Sequence, residues 1–295
     1  MSKKVEDFIK FKMLSINARF AYQEFIKAIK SNDVREIETS TVVKLFDNII
    51  NNCYSFESVL PENTYLYRAR IVKDMEDLPI ADEEDVFSGY DEFGSKEPPL
   101  SLSEEGRCNA KGVSYLYLAE EDYTACAEVK PMYLSLISVA TYKIKQKLKI
   151  LDLDIARSKP VLPKIDEFED YDVKSIISFV MKQFSLSSGP FGQYEISQYI
   201  ADYFRKAKYD GLAYNSSQTN KRCYVIFSSH KNFVEFVSSE IYLVDRSEFS
   251  YVNLKEGKHS EVFADRKLTS EEIRKNCEKF KKERKTIKAI KQSKK

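Results

Sequence analysis

The stretch Gly106-Arg107-Cys108-Asn109-Ala110-Lys111-Gly112, followed by Tyr115-Leu116-Tyr117-Leu118-Ala119 and Ala125-Cys126-Ala127-Glu128-Val129, sets an arginine, a tyrosine and a glutamate into one glycine-punctuated strand-to-helix unit. The chain has two histidines, His230 and His259, so any catalysis rests mainly on groups of this kind. Arg107 lies between glycines that let the backbone turn tightly and the side chain project from a loop, although a plain turn accounts for the same residues. Glu128 follows the small-residue run Ala125-Cys126-Ala127, where the neighbours indicate close packing. A carboxylate in such a place needs a partner or a task.

Tyr65-Leu66-Tyr67-Arg68-Ala69-Arg70-Ile71-Val72 alternates like a strand and puts Arg68 and Arg70 on one face. A guanidinium is always charged, so Arg68 faces water, pairs with an acid or grips an anion such as phosphate through its planar fork. Ser216 and Ser217 follow the strand-like Tyr209-Asp210-Gly211-Leu212-Ala213-Tyr214 and Asn215. Serines in a turn commonly satisfy only backbone groups. No G-x-S-x-G elbow, phosphate loop, G-x-G-x-x-G turn or H-E-x-x-H pair is present, which argues against the usual serine-hydrolase, nucleotide-triphosphatase, dinucleotide-fold and metalloprotease readings.

The elements that must carry these groups follow from periodicity. Val5, Phe8, Ile9, Met13, Ile16, Phe20 and Ile26 recur at helical steps, and Ser40 caps a second helix with Val42, Phe46, Ile49, Ile50 and Cys53 on its apolar face. Residues 1–60 thus predict a helical pair packed on a larger domain. The acidic run Asp74 to Asp85, with Gly89, Gly94, Pro98 and Pro99 beyond it, predicts a long surface loop. Strands are predicted over Val113–Leu118, Met132–Tyr142, Lys147–Leu153, Tyr209–Tyr214 and Tyr224–Phe227, with Ile241–Val244 at a sheet edge. Helices are predicted over Glu121–Val129, Ser175–Phe184 and Ile196–Phe204, with a loop at Ser187–Gly192 and a charged helix from Ser270 onward.

Composition narrows the function classes. With 47 basic and 46 acidic residues the net charge is +1, so no global field draws the chain to nucleic acid or anionic lipid. The five cysteines are dispersed and never form C-x-x-C, which argues against a disulfide framework and a zinc site and for a reducing cytoplasm. No apolar run approaches the roughly 18 to 20 residues that span a bilayer, and the expectation is a soluble cytoplasmic protein without a bound metal.

Taken in order, these pieces resemble the RES-domain family. The matching residues are Leu66-Tyr67-Arg68-Ala69-Arg70, Gly106-Arg107-Cys108-Asn109 with Gly112, Leu116-Tyr117-Leu118-Ala119, Ala127-Glu128-Val129, Tyr194 with Gln198-Tyr199-Ile200-Ala201, and Tyr209 to Ser217 followed by Asn220 and Val225-Ile226-Phe227. The resemblance covers roughly residues 61 to 235. It departs at Cys108, where the family usually has an aromatic residue, and at Asn215, where it often has proline. It implies an α+β fold of the ADP-ribosyltransferase type, a split and curved β core flanked by helices. Around it lie an N-terminal helical element (1–60), the catalytic domain (61–240) and a C-terminal strand with a basic helical tail (241–295).

The resemblance also implies a toxin of a bacterial toxin–antitoxin pair that degrades NAD by phosphorolysis or hydrolysis, using NAD as substrate and inorganic phosphate as an optional co-substrate, with no resident cofactor. The implied catalytic residues are Arg68, Glu128 and Ser216, and the implied NAD-binding residues are Arg68, Arg107, Tyr117, Ser216 and Ser217. The implied partner is an antitoxin, often with a helix-turn-helix domain. A homo-oligomer is compatible with the sequence. One alternative is transfer of ADP-ribose to a protein or nucleic acid. Another is a non-enzymatic nucleic-acid module built on the tail Arg274 to Lys295, in which Glu278 and Glu283 at helical spacing favour an ordinary solvated helix instead.

Overall fold

The computed structural model describes residues 3–52, 56–79, 86–154, 172–185, 194–227, 233–245, 249–253, 258–262 and 268–293. In chain order the elements are α1 (Lys3–Ser31), α2 (Val34–Thr39), α3 (Thr41–Asn52), β1 (Glu57–Leu60), β2 (Tyr65–Ile71), α4 (Glu92–Ser95), β3 (Leu116–Ala119), α5 (Asp122–Glu128), β4 (Leu136–Ile144) and β5 (Leu148–Asp152). They continue with α6 (Val173–Ser185), α7 (Glu195–Lys206), β6 (Gly211–Asn215), β7 (Arg222–Ile226), β8 (Val234–Leu243), β9 (Phe249–Asn253), β10 (Lys258–Val262) and α8 (Ser270–Ser293). The class is α+β. The chain forms two compact units, one from Met1–Thr64, Glu97–Leu118 and Ile144–Phe233, the other from Tyr65–Lys96, Ala119–Lys143 and Val234–Lys295.

In the first unit the strands run in the order β1-β5-β6-β7-β3. β5 and β6 pair in parallel, Ile150 opposite Gly211 and Asp152 opposite Ala213. Parallel neighbours need a crossover connection, and α6 and α7 lie in the segment that joins them. β5, β6 and β7 are buried at nearly every position, the pattern of strands covered on both faces. An aromatic cluster fixes the helices: Phe25 meets Phe46 at 6.2 Å and Tyr199 at 5.8 Å, Tyr22 stacks on Phe179 at 5.5 Å, and Phe46 meets Phe204 at 5.2 Å. Ser40 caps α3 by accepting from the Val43 N–H at 3.3 Å.

Among the described side chains of α1 the buried ones are Ala18, Ala21, Tyr22, Phe25 and Ala28, none of which belongs to the stripe that defines its sequence periodicity. Ile9, Met13, Ile16 and Phe20 point outward. The alanines let α1 approach its neighbours closely, and the aromatic pair supplies the buried area, so the larger aliphatic stripe is left outside.

In the second unit β2 pairs antiparallel with β4 over its whole length, Tyr65 opposite Lys143 through Ile71 opposite Ile137. Tyr67 also pairs with Ala119, β8 follows β4, and α5 packs on β2. β9 and β10 form a separate antiparallel hairpin, and neither it nor β1 is expected from the periodicity of the sequence. On α8, Arg274–Glu278 and Lys275–Glu271 pair at 2.8 Å across one turn. The expected loop after Asp74 is partly regular in its described residues. Asp74 caps a 3₁₀ turn at Met75–Asp77, and Asp91 caps α4 by accepting from the Gly94 N–H at 2.7 Å.

Two expected strands start late for local reasons. A turn closed by Val113 N–H to the Ala110 carbonyl at 3.0 Å holds Gly112 at φ +80°, delaying β3, and a turn at Met132–Ser135 delays β4. Cys53, residues 80–85, the predicted loop Ser187–Gly192 and His230 lie outside the described residues.

Candidate functional site

In the first unit the loop around Arg107 is organised by a single asparagine. Asn109 Nδ2 donates to the carbonyls of Glu104 at 3.0 Å and Val113 at 2.7 Å, while its Oδ1 accepts from the Tyr117 hydroxyl at 2.6 Å. Tyr117 in turn accepts from the Cys108 N–H at 3.0 Å. Gly106 is required by close approach, because a Cβ there would lie 2.4 Å from Asn109 Oδ1 and 3.0 Å from the Tyr117 hydroxyl. The start of α7 clamps the same loop: Gln198 Nε2 donates to the Gly106 and Asn109 carbonyls at 2.9 and 3.0 Å, and Ser197 Oγ donates to the Arg107 carbonyl. Arg107 is thereby aimed across the Tyr214 ring, its guanidinium carbon 5.0 Å from the centroid.

Enclosure dominates the ionisation of this loop. Burial pushes the Tyr117 phenol well above its ordinary value, and burial pushes the Cys108 thiol up to about 12, with Arg107 and the Tyr117 hydroxyl pulling the other way. Tyr117 stays neutral with its proton committed to Asn109, so what it offers a ligand is its ring.

Tyr214 leads along β6 to the serines. Ser216 is buried, and its Oγ accepts from the N–H groups of Gln218 at 3.1 Å and Thr219 at 3.3 Å, while its own N–H donates to the Lys221 carbonyl at 2.8 Å. Ser217 is exposed beside it. Beneath this turn Arg222, 1% exposed, pairs with Asp152, approaches Asp154 at 3.7 Å and donates to Asn215 Oδ1 at 2.9 Å. Asn215 Nδ2 donates to Asp154 at 3.0 Å, so a buried ionic group anchors the residue preceding Ser216.

In the second unit Arg68 and Arg70 stand on alternate positions of β2, both half-buried. Arg68 Nη1 donates to the carbonyls of Ser95 and, at 2.7 Å, Lys96. Arg70 donates to Gly94 at 2.6 Å and Lys96 at 2.8 Å. Glu128 is half-buried at the last position of α5. An acid there opposes the helix dipole, which favours cations at a C-terminus, so helix stability does not account for it.

The structure therefore gathers Arg107, Tyr117 and the residues leading to Ser216 in the first unit, and sets the helix bearing Glu128 on the strand bearing Arg68 in the second. Arg222 and its acids match no motif, although a charge at the start of the apolar run Cys223-Tyr224-Val225-Ile226 marks Arg222 as a charge inside a strand marks Arg68. Asn109 and Gln198 were legible as motif residues but not as the braces of the Arg107 loop. Among the described residues no group of three or more His, Cys, Asp or Glu side chains converges to hold a metal, and no helix is long and apolar enough to cross a membrane.

The RES domain family model matches residues 80–250. That span holds Arg107, Tyr117, Glu128, Ser216 and Ser217 and begins after Arg68. No curated protein sequence matches the chain. Among solved structures the chain is similar to the M. tuberculosis MbcT–MbcA toxin–antitoxin complex, at 11% identity and a TM-score of 0.38 over 68% of this chain and 91% of that one.

Proposed function

The chain belongs to the RES-domain family, and from that premise we propose that it is an NAD-degrading enzyme that cleaves the nicotinamide–ribose bond and serves as the toxin of a toxin–antitoxin pair. The observation that carries this reading is the arrangement of the matched motif. Arg107 and Tyr117 share one hydrogen-bonded loop, and α5 ends in a glutamate that its helix does not need.

In the proposed reaction the bond from the ribose anomeric carbon to the pyridinium nitrogen breaks, and its electron pair leaves on nicotinamide, which departs neutral. No general acid is required, in keeping with a chain that has two histidines. The ribose passes through an oxocarbenium-like state. Either water captures it, releasing a proton and giving ADP-ribose, or inorganic phosphate captures it and gives ADP-ribose-1″-phosphate. The Glu128 carboxylate stabilises the developing cation. Arg68 and Arg107 hold the pyrophosphate through charge-assisted bonds, the Tyr117 ring packs on the nicotinamide ribose, and Ser216 and Ser217 position ribose hydroxyls. If phosphate is the nucleophile, one arginine also holds it. A cognate antitoxin that occludes these residues completes the reading.

The test is incubation of the purified chain with NAD, with and without phosphate, followed by the mass of the sugar product. Nicotinamide release without any macromolecular acceptor is the expected result. ADP-ribose recovered only as an adduct on an added protein or nucleic acid would replace this reading with the transferase.

A further inference from the structure

The outward stripe of α1 has the spacing of a pairing seam. Ile9, Met13, Ile16 and Phe20 follow one another at steps of four, three and four residues and are 43, 59, 52 and 62% exposed. That is the 3.5-residue repeat by which one helix meets another, with Ile9 and Ile16 at one seam position and Met13 and Phe20 at the other. The opposite face of α1 is already committed, through Ala18, Tyr22 and Phe25, to the core of the first unit. The seam has defined ends, since Glu6 precedes it and Gln23 and Lys27 occupy the positions that would continue it.

We propose that this stripe is a homodimerisation surface on which α1 of a second copy lies in parallel. The charges bordering it choose the partner and the direction. Lys10, Lys12, Asn17, Arg19 and Glu24 flank the seam. In a parallel pair Arg19 of one copy falls opposite Glu24 of the other, twice by symmetry, and Lys12 faces the neutral Asn17. An antiparallel pair sets Lys12 against Arg19, two like charges. A seam of roughly three turns, about 17 Å long, buries an area at the low end of specific interfaces. The dimer therefore dissociates on dilution.

Sedimentation velocity of the full chain over a hundredfold concentration range reads this directly, with one copy at the low end and two at the high end expected. Phe20→Glu and Ile16→Glu should hold the protein monomeric while leaving its melting temperature unchanged, because both side chains are exposed. Arg19→Glu should weaken the dimer, and Arg19→Glu combined with Glu24→Arg should restore it. Met13→Cys should form a disulfide-linked dimer under mild oxidation that the parent chain does not form. The proposal is overturned by a monomer at every concentration, including one that binds phosphatidylserine vesicles through the stripe. It is equally overturned by a dimer that survives Phe20→Glu, or by one that no Met13→Cys bond can lock.

Discussion

Arg68 Nη1 and Arg70 Nη2 share one acceptor, the carbonyl oxygen of Lys96, at 2.7 and 2.8 Å. With the bonds to Gly94 and Ser95 they satisfy three successive carbonyls at the end of α4, the groups a helix leaves unpaired and where its dipole favours cations. Two residues apart on a strand, the guanidinia point the same way, so the clamp follows from the alternation of β2 alone.

The two arginines are separable by experiment. Arg68→Ala and Arg70→Ala each remove charged hydrogen bonds worth about 1.5–3 kcal/mol, so both should speed amide exchange over residues 92–96. NAD cleavage should fall only in Arg68→Ala, and Arg68→Lys should not restore it because the fork is lost. Equal loss of turnover in Arg70→Ala would reduce Arg68 to a holder of this turn.

Tyr117→Phe deletes the hydroxyl that accepts from Cys108 and donates to Asn109. Unsatisfied buried groups cost about 1–3 kcal/mol, and the loop that carries Arg107 should loosen. Because the ring remains, the KM for NAD should rise more than kcat falls. A kinetic defect confined to kcat would mean that the hydroxyl acts on the reacting atoms and not on the loop.

How far the sequence reaches depends on whether a residue's surroundings are local. β2, α5, α7 and β6 were legible because alternation and helical spacing are local properties, and Arg107, Tyr117 and Glu128 were legible because glycines and small residues mark their segment. Which face of α1 is buried was not, since alanines and one aromatic pair outcompete larger aliphatic residues only once the neighbouring helices are in place. Nor was the group joining Asp152, Asp154, Asn215 and Arg222, whose members are separated by the crossover through α6 and α7. The hairpin of β9 and β10 carries no strong turn signal that would have announced it.

Alkaline pH should expose the burial of Cys108. Its thiol is raised from 9.0 to about 12 by burial, so folding favours the protonated form. The stability this contributes is complete below about pH 9 and is lost between 9 and 12, at about 1.4 kcal/mol per pH unit. Cys108→Ala should flatten that part of the urea-stability profile relative to the parent. The native thiol should also resist alkylation at pH 8, and modification before unfolding would show that it is accessible.

Asp152→Ala should be the most destabilising change near the serines. It strips a partner from Arg222, whose guanidinium stays buried and charged, and breaking such a pair costs about 3–5 kcal/mol. Urea denaturation measures this, and a loss under 1 kcal/mol would mean that water reaches the cluster. Amide exchange of residues 216–221 should accelerate in parallel, because Asn215 links the cluster to that turn.

Glu128→Gln separates chemistry from folding. The carboxylate sits at the C-terminal end of α5, where the dipole disfavours negative charge by up to about 1 kcal/mol. The helix itself should therefore lose no stability when the charge is removed. Shape and most hydrogen-bonding capacity survive the substitution, so any lost turnover reports the charge that stabilises the oxocarbenium. Removing an electrostatic contribution of this kind commonly costs about 2.7–4 kcal/mol, or two to three decades of rate. NAD should persist in cells expressing the variant, and growth arrest should disappear with its loss. If the variant melts earlier while its folded fraction turns over NAD at the parental rate, Glu128 is a structural acid and the catalytic charge lies elsewhere.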